Sequence, residues 1–433
     1  MKFFKYIVFI TALVFSFGSR SYQTEKDVPP YYELELQGLN SRLTNEVSNF
    51  PDSAYVEKQI GRFMSQWDLK GVSVAILKDE RLIYAQGFGI ADDSLNRVNP
   101  GSLFRLASVS KLITAVAIMK LAEEKKLSLD DHVFGPDGII KNPALDKVAD
   151  KRIYAITVRH LLAHSGGWTQ RAGDPAFNPL AIAENVGDVP PVTIESYYKY
   201  IAKYRLSFTP GSRAYYSNMG YMFLGEVIST VTGEPYETYI RKSILIPNGM
   251  TDMHIGNSYQ KHKLPNEVCY FEQAGSESIP ECNGSGILVK KSNGGNQIEL
   301  LGAAGGWISS SVELARLITF IDGERKVRDI LSKKTIQEMT DHTYAKGPLG
   351  WRSVSDNGNW YRTGSMAGTS AMVKKQRDGI TWVFISNSSC WKGSGLSVDI
   401  ERLMNRIIPG IKEWPDRDLF QYYPIQSLQL AEK

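Results

Sequence analysis

Two hydrophobic rhythms divide this chain, and their order outlines a fold. Val72 to Leu77 and Leu82 to Phe88 are β-rich runs separated by Lys78-Asp79-Glu80, which predicts a hairpin. Both alternating faces of the first run are small or apolar, as in a strand covered on both sides. The rhythm then changes. Leu112, Ala115, Val116 and Met119 recur at helical spacing with no Gly or Pro between them. A short helix is predicted from Thr157 to His164, with Thr157 as its N-cap, ending at Ser165-Gly166-Gly167. Ile194 to Tyr204, capped by Thr193, and Gly220 to Thr232 extend the helical middle. Residues 255–300, rich in Gly, Ser, Asn and charge, read as an extended loop or small β insertion. Strands return at Trp360 to Thr363, Ser370 to Lys375 and Ile380 to Ser386, the last two joined by Gln376-Arg-Asp-Gly379, and a helix closes from about Val398 to Ile408.

This order predicts an α+β fold, an α/β sandwich: an antiparallel sheet built from both chain ends, flanked by helices, with a mainly helical lobe inserted. The expected sheet lobe covers about 61–105 and 300–412, and the helical lobe about 106–299. Residues 413–433 form a tail, and no internal repeat is present.

The N-terminus follows a different logic. Lys2 and Lys5 precede an apolar run from Tyr6 to Phe17, then Gly18, Ser19 and Ser21, with no acid before Glu25. Residues 1–21 therefore read as a signal peptide and 22–60 as a polar leader, which implies a periplasmic or secreted protein. An uncleaved anchor is the alternative, although the run is shorter than the roughly 20 residues that span a bilayer. Of the cysteines, Cys269 and Cys282 bracket a short polar segment and could close a disulfide loop, while Cys390 reads as a buried thiol.

At 433 residues the chain has ample material for a core, and its composition is that of an ordinary globular protein. The formal charge of +4 would fall to about +1 once Lys2, Lys5 and Arg20 are removed. No basic stripe with interleaved aromatics is present, which argues against nucleic acid as a partner.

Ser108 and Lys111 form a Ser-x-x-Lys at the start of the first predicted helix. That spacing is close to one turn, so the lysine can lie beside the serine hydroxyl. A serine is a poor nucleophile until a base takes its proton, and a helix N-terminus presents N–H groups that stabilise an oxyanion. Two further motifs accompany it, Tyr216-Ser217-Asn218 and Arg362-Thr363-Gly364. With Gly71 to Asp79, Phe104 to Lys111, Thr157 to Gly167, Phe208 to Tyr221, Ala304-Gly-Gly306 and Thr363 to Ser370, the chain resembles class C β-lactamases, low-molecular-weight D-Ala-D-Ala peptidases and related esterases from about residue 62 to 410.

The resemblance implies roles. Ser108 attacks a carbonyl and is acylated. Lys111 accepts its proton, and Tyr216 shuttles a proton to the leaving group and later activates water. Asn218 orients Lys111 and donates to substrate, and the backbone N–H groups of Ser108 and Ser365 form the oxyanion hole. Arg362, Thr363 and Gly364 make the substrate-binding strand. Arg362 departs from the lysine of the best-known β-lactamases and from the histidine or tryptophan of many esterase and peptidase relatives. Its planar fork favours a substrate with a carboxylate near the scissile bond.

Rival signals are weaker. His160 and His164 share one helix, but Leu161 stands where a zinc peptidase has glutamate, so the pair reads as structural. Trp168, Tyr215, Tyr221, Trp307 and Trp351 read as core or cleft lining. The expected function is a serine hydrolase acting on a peptide, amide, lactam or ester, with an acyltransferase or a noncatalytic cell-wall-fragment sensor as alternatives. We expect a small-molecule or peptide substrate, no cofactor and no metal.

Overall fold

The computed structural model describes residues 43–171, 173–324, 326–341 and 347–422. The expected signal peptide, most of the leader and the end of the tail lie outside the described residues. The chain enters through helix α1 (Ser53–Trp67) and the hairpin β1 (Gly71–Lys78) and β2 (Arg81–Gly89), then reaches helix α2 (Ser110–Glu123). The helical lobe centres on α3 (Asn218–Thr232), and α4 (Ser311–Thr319) leads back to the sheet. Strands β3 (Ser353–Val354), β4 (Trp360–Met366), β5 (Thr369–Lys375) and β6 (Ile380–Ser386) follow, before the closing helix α5 (Leu396–Gly410).

The six strands form one sheet in the order β2-β1-β6-β5-β4-β3, and each neighbouring pair is antiparallel. The two chain ends meet at β1 and β6, where Val72 lies opposite Ser386 and Lys78 opposite Ile380. Alternation along these strands explains why both faces are apolar. Val72, Val74, Ile76, Trp382 and Phe384 pack with α1 and α5, whereas Ala75, Leu77, Val383 and Ile385 face the core shared with α2 and α4. The hairpin turns through Asp79 and Glu80, both at positive φ, the geometry of a two-residue primed turn.

Packing starts ahead of the expected boundary at residue 61. Val56, Ile60 and Phe63 recur along one face of α1 and are buried, and Leu43 is buried before the helix begins. These few contacts leave too short a periodic signal to stand out from the polar stretch around them. The outer edge of β2 is covered from both ends of the chain. Ser48 Oγ accepts from Ala85 N–H, Asp418 Oδ1 accepts from Leu82 N–H, and Arg417 donates to the Ile83 carbonyl. Residues 413–422 thus include a segment that packs on the sheet. The small β insertion is a two-stranded ribbon, Ile279–Pro280 with Leu288–Val289. Cys269, Cys282 and Cys390 are all buried and unbonded, so no disulfide ties that segment. Arg105 ties it instead, donating to the carbonyls of Ser292 and Asn257 while lying 4.1 Å from the Tyr270 ring centroid.

Candidate active site

The short strand Phe104–Arg105 pairs with Trp307–Ser309 and delivers the chain to the site. Ala107 then takes φ +47°, a left-handed conformation that a residue with a Cβ adopts at a cost of roughly 1–3 kcal/mol. From there a 3-10 turn, Ala107–Val109, runs directly into α2. Ser108 lies on that turn, and Lys111 in the first turn of α2, fully buried.

Strand β4 passes this turn at close range. A Cβ on Gly364 would lie 2.2 Å from the Leu106 carbonyl oxygen and 3.0 Å from Ser108 N, so only glycine fits. Strand β3 pairs with β4 only at Trp360 and Tyr361, and so, among the described residues, leaves the edge from Arg362 to Met366 free of a strand partner. Thr363 and Ser365 are half-buried along it. The strand is longer than its β-rich part predicts, because Gly364 and Ser365 interrupt the propensity pattern while the ladder to β5 continues.

Around Ser108 the polar side chains converge. Tyr216 donates to Ser108 Oγ at 2.6 Å, and Lys111 Nζ donates to the same oxygen at 3.3 Å. Lys111 also donates to Asn218 Oδ1 at 2.6 Å and to the Ala304 carbonyl at 2.5 Å. Asn218 is aimed by Asp174, whose Oδ2 accepts from Asn218 Nδ2 at 2.5 Å and from Gln170 Nε2 at 2.6 Å. With its NH2 group held by a carboxylate, the Asn218 amide must turn its oxygen toward Lys111. Asp174 was not singled out from the sequence. Its one signal is Asp174-Pro175, the cap of a 3-10 turn whose Ala176 N–H donates to Asp174 Oδ1.

Arg362 points into this cluster and is 2% exposed. Its Nε donates to the Ser108 carbonyl at 2.8 Å and its Nη2 to the Tyr216 hydroxyl at 3.3 Å. The fork expected to grip a substrate carboxylate is thus largely committed to the protein itself.

His164 is the other residue whose place the sequence did not reveal. It does not act with His160, which closes a capping box with Thr157. Instead it holds the backbone on either side of Tyr216: its carbonyl accepts from Tyr215 N–H at 2.8 Å and its Nδ1 from Ser217 N–H at 3.2 Å. Its ring lies 4.5 Å from that of Tyr216 and 5.1 Å from that of Tyr221. Burial, together with the charges of Arg362, Lys111 and Arg352, holds its pKa well below the usual histidine range, so it is neutral. Of the remaining aromatics, Tyr221, Trp307 and Trp351 are buried, while Tyr215 is exposed.

The electrostatics suit proton transfer. Burial brings Lys111 down to about 8, with Arg362 adding to the effect and Tyr216 opposing it. Burial pushes the Tyr216 phenol up, but the charges of Lys111 and Arg362 more than offset this and hold it at about 8. Both groups therefore exchange protons near neutrality, which free lysine and tyrosine do not.

Beyond Ser365 the cleft opens into a cavity of about 670 Å³, lined by Phe177, Leu180, Ile279, Asn296, Ser365 and Met366 among others.

Comparison with known proteins identifies the family and the fold. Residues 56–399 match the family model described as Beta-lactamase. An Escherichia coli (strain K12) protein named provisionally as a D-alanyl-D-alanine carboxypeptidase is 31% identical over 232 residues, 50% of this chain and 51% of the relative. Esterase EstB of Burkholderia gladioli is 29% identical over 194 residues, 42% of this chain and 46% of the relative. The chain thus spans about half the length of the curated relatives it matches. Among solved structures, the octameric penicillin-binding protein homologue from Pyrococcus abyssi aligns at TM-score 0.58 and 26% identity, covering 78% of this chain and 74% of that one. The D-amino acid amidase from Ochrobactrum anthropi SV3 aligns at TM-score 0.62 and 20% identity, covering 83% and 99%, and shares the fold.

Proposed function

The chain belongs to the beta-lactamase family of serine hydrolases, and we propose that Ser108 is its nucleophile, accepting the acyl group of a peptide, amide, lactam or ester. The observation that carries this reading is the placement of Ser108 Oγ within 2.6 Å of Tyr216 and 3.3 Å of Lys111, two groups held near neutral pKa.

Tyr216 lies nearer to Ser108 Oγ than Lys111 does, so Tyr216, as phenolate, and not Lys111 as the resemblance implied, takes the Ser108 proton as Oγ attacks the carbonyl carbon. The carbonyl oxygen becomes an oxyanion against the backbone N–H groups of Ser108 and Ser365. On collapse, the Tyr216 proton passes to the leaving amine or alkoxide, and an ester of Ser108 remains. Water then gives a proton to Tyr216 as its oxygen attacks the ester carbon, and when the acyl–Oγ bond breaks Tyr216 returns that proton to Ser108 Oγ and the acid leaves. Lys111 and Arg362 stabilise the phenolate each time it forms. Asn218 keeps Lys111 in place, with its own NH2 held by Asp174. The apolar run from Tyr6 to Phe17 behind Lys2 and Lys5 supports a periplasmic or secreted enzyme.

The test is to incubate the protein and Ser108→Ala with a fluorescent penicillin, a p-nitrophenyl ester and a D-Ala-D-Ala peptide, following intact mass and product together. An adduct on Ser108 with turnover is expected, and Ser108→Ala should lose about 10³-fold or more in rate. Full activity in Ser108→Ala would overturn the assignment.

A further inference from the structure

Helices α1 and α5 lie on the sheet face opposite α2, packed on Val72, Val74, Trp382 and Phe384. Their outward positions carry a cluster of cations. Arg62 on α1 and Arg402 and Arg406 on α5 line one cleft of about 150 Å³. The Tyr55 hydroxyl donates to the Arg406 carbonyl at 3.0 Å and ties the two helices together. Asp399 is the only acid lining the cleft among the described residues, and its carboxylate is already shared by Lys392 at 2.7 Å and Arg402 at 3.1 Å. Arg62 and Arg406 are exposed and have no ionic partner among the described residues. Three guanidinium groups gathered at one cleft repel one another, and an anion placed among them turns that repulsion into attraction.

A pair of tryptophans borders the same cleft. Trp67, at the end of α1, lines it, and its ring lies 6.1 Å from that of Trp391 at a tilt of 51°. The Lys392 ammonium lies over both rings, 4.5 Å from Trp67 and 5.6 Å from Trp391. Trp391 is 75% exposed, and Val398, one turn before Arg402 on α5, is 49% exposed. The Trp67 Nε1 atom is enclosed and has no hydrogen-bond partner. Tryptophan beside arginine and lysine is the composition that settles at the headgroup level of a bilayer, where indole and aliphatic groups enter the acyl boundary and the cations meet phosphate. A soluble polyanion would engage the arginines but give Trp391 and Val398 no apolar phase to enter.

The geometry points to a membrane-docking face: Arg62, Arg402 and Arg406 take the phosphate of an anionic phospholipid, while Trp391 and Val398 enter the interface beside it. Because α1 and α5 cover the sheet face away from α2, a docked molecule keeps the Ser108 turn clear of the lipid.

Sedimentation with sucrose-loaded vesicles tests this on the chain without residues 1–21, the form expected after signal cleavage, so that the apolar run Tyr6 to Phe17 contributes nothing. The vesicles are phosphatidylcholine alone, or phosphatidylcholine with about one third phosphatidylglycerol. At low salt the partition coefficient should be at least about tenfold higher on the anionic vesicles, and most of that gain should vanish at about 0.5 M NaCl. Arg62→Gln and Arg406→Gln should each lose about fivefold on anionic vesicles and little on neutral ones. Trp391→Ser should weaken anionic binding about tenfold at both salt concentrations, because the term it removes is apolar. All three replaced side chains are exposed, so the unfolding midpoint should stay at the wild-type value. Equal partition onto the two vesicle types, or wild-type binding by all three variants, would overturn the inference. So would capture by purified peptidoglycan or heparin that Arg62→Gln and Arg406→Gln abolish while vesicles stay unbound, an outcome that assigns the cleft to a soluble polyanion.

Discussion

The two sides of the cleft are built on opposite principles. On the side of α2 and α3, ionisable groups hold one another: Lys111 has three partners, Asn218 is held at both ends of its amide, and Arg362 bonds to Ser108 and Tyr216. On the side of the insertion, Asn296 and Lys291 face the cavity without partners among the described residues. Proton transfer needs groups fixed relative to one another before substrate arrives. Recognition needs hydrogen-bonding capacity that the substrate completes. Pairing within the protein therefore marks Lys111, Asn218, Tyr216 and Arg362 around Ser108, and open hydrogen-bonding capacity marks the cavity wall.

That contrast can be broken in four places. Gly364→Ala should be the most damaging, because its Cβ would collide with the Leu106 carbonyl and drive β4 from Ser108. Loss of an oxyanion donor gives about 10²–10³-fold lower kcat, with KM less affected. Stopped-flow acylation checks this, and a wild-type rate would show that β4 does not set the oxyanion geometry.

Arg362→Met removes a cation that holds Tyr216 at about 8. The phenolate is then less stable, so its pKa rises and the ascending limb of kcat/KM moves to higher pH. A shift of roughly one unit lowers the rate at pH 7 about tenfold. An unmoved limb would mean that Tyr216 is not the base. His164→Leu releases the Ser217 N–H and should cost about tenfold in kcat. His164→Asn offers an oxygen near the Nδ1 position and tolerates the positive φ of this residue, so it should recover most of that loss. Recovery by alanine as fully as by asparagine would show that no acceptor is needed. The smallest effect belongs to the other side: Ile279→Ala should raise KM for bulky acyl esters about threefold while the pH midpoint stays in place. A moved midpoint would show that the two sides are not independent.

Legibility in the sequence follows the same division. Ser108 and Lys111 are a turn apart, Tyr216 and Asn218 share one short motif, and Arg362 to Gly364 are contiguous, so each piece of the chemical side could be read locally. The sheet was legible because β1 and β6 alternate between two buried faces. Asp174 and His164 were not, since their roles lie in contacts with Asn218 and with the peptides around Tyr216. The cavity was least visible of all. It draws on residues 177–181, 279–296 and 365–367, and no local pattern links segments so far apart. The disulfide was suggested by spacing alone, whereas side-chain contacts from Arg105 do the tethering.

The meeting of β1 with β6 also sets an order of events during synthesis. Residues 72–78 emerge from the ribosome long before their partners at 380–386. Until those partners appear, the inner edge of β1 has no neighbour and the Arg362 strand does not yet exist to press against the Ser108 turn. A nascent or truncated chain thus carries Ser108 without the strand that packs against its turn. Such pairing between distant segments delays completion of the sheet until the far end of the chain arrives, the feature that slows folding of non-local topologies.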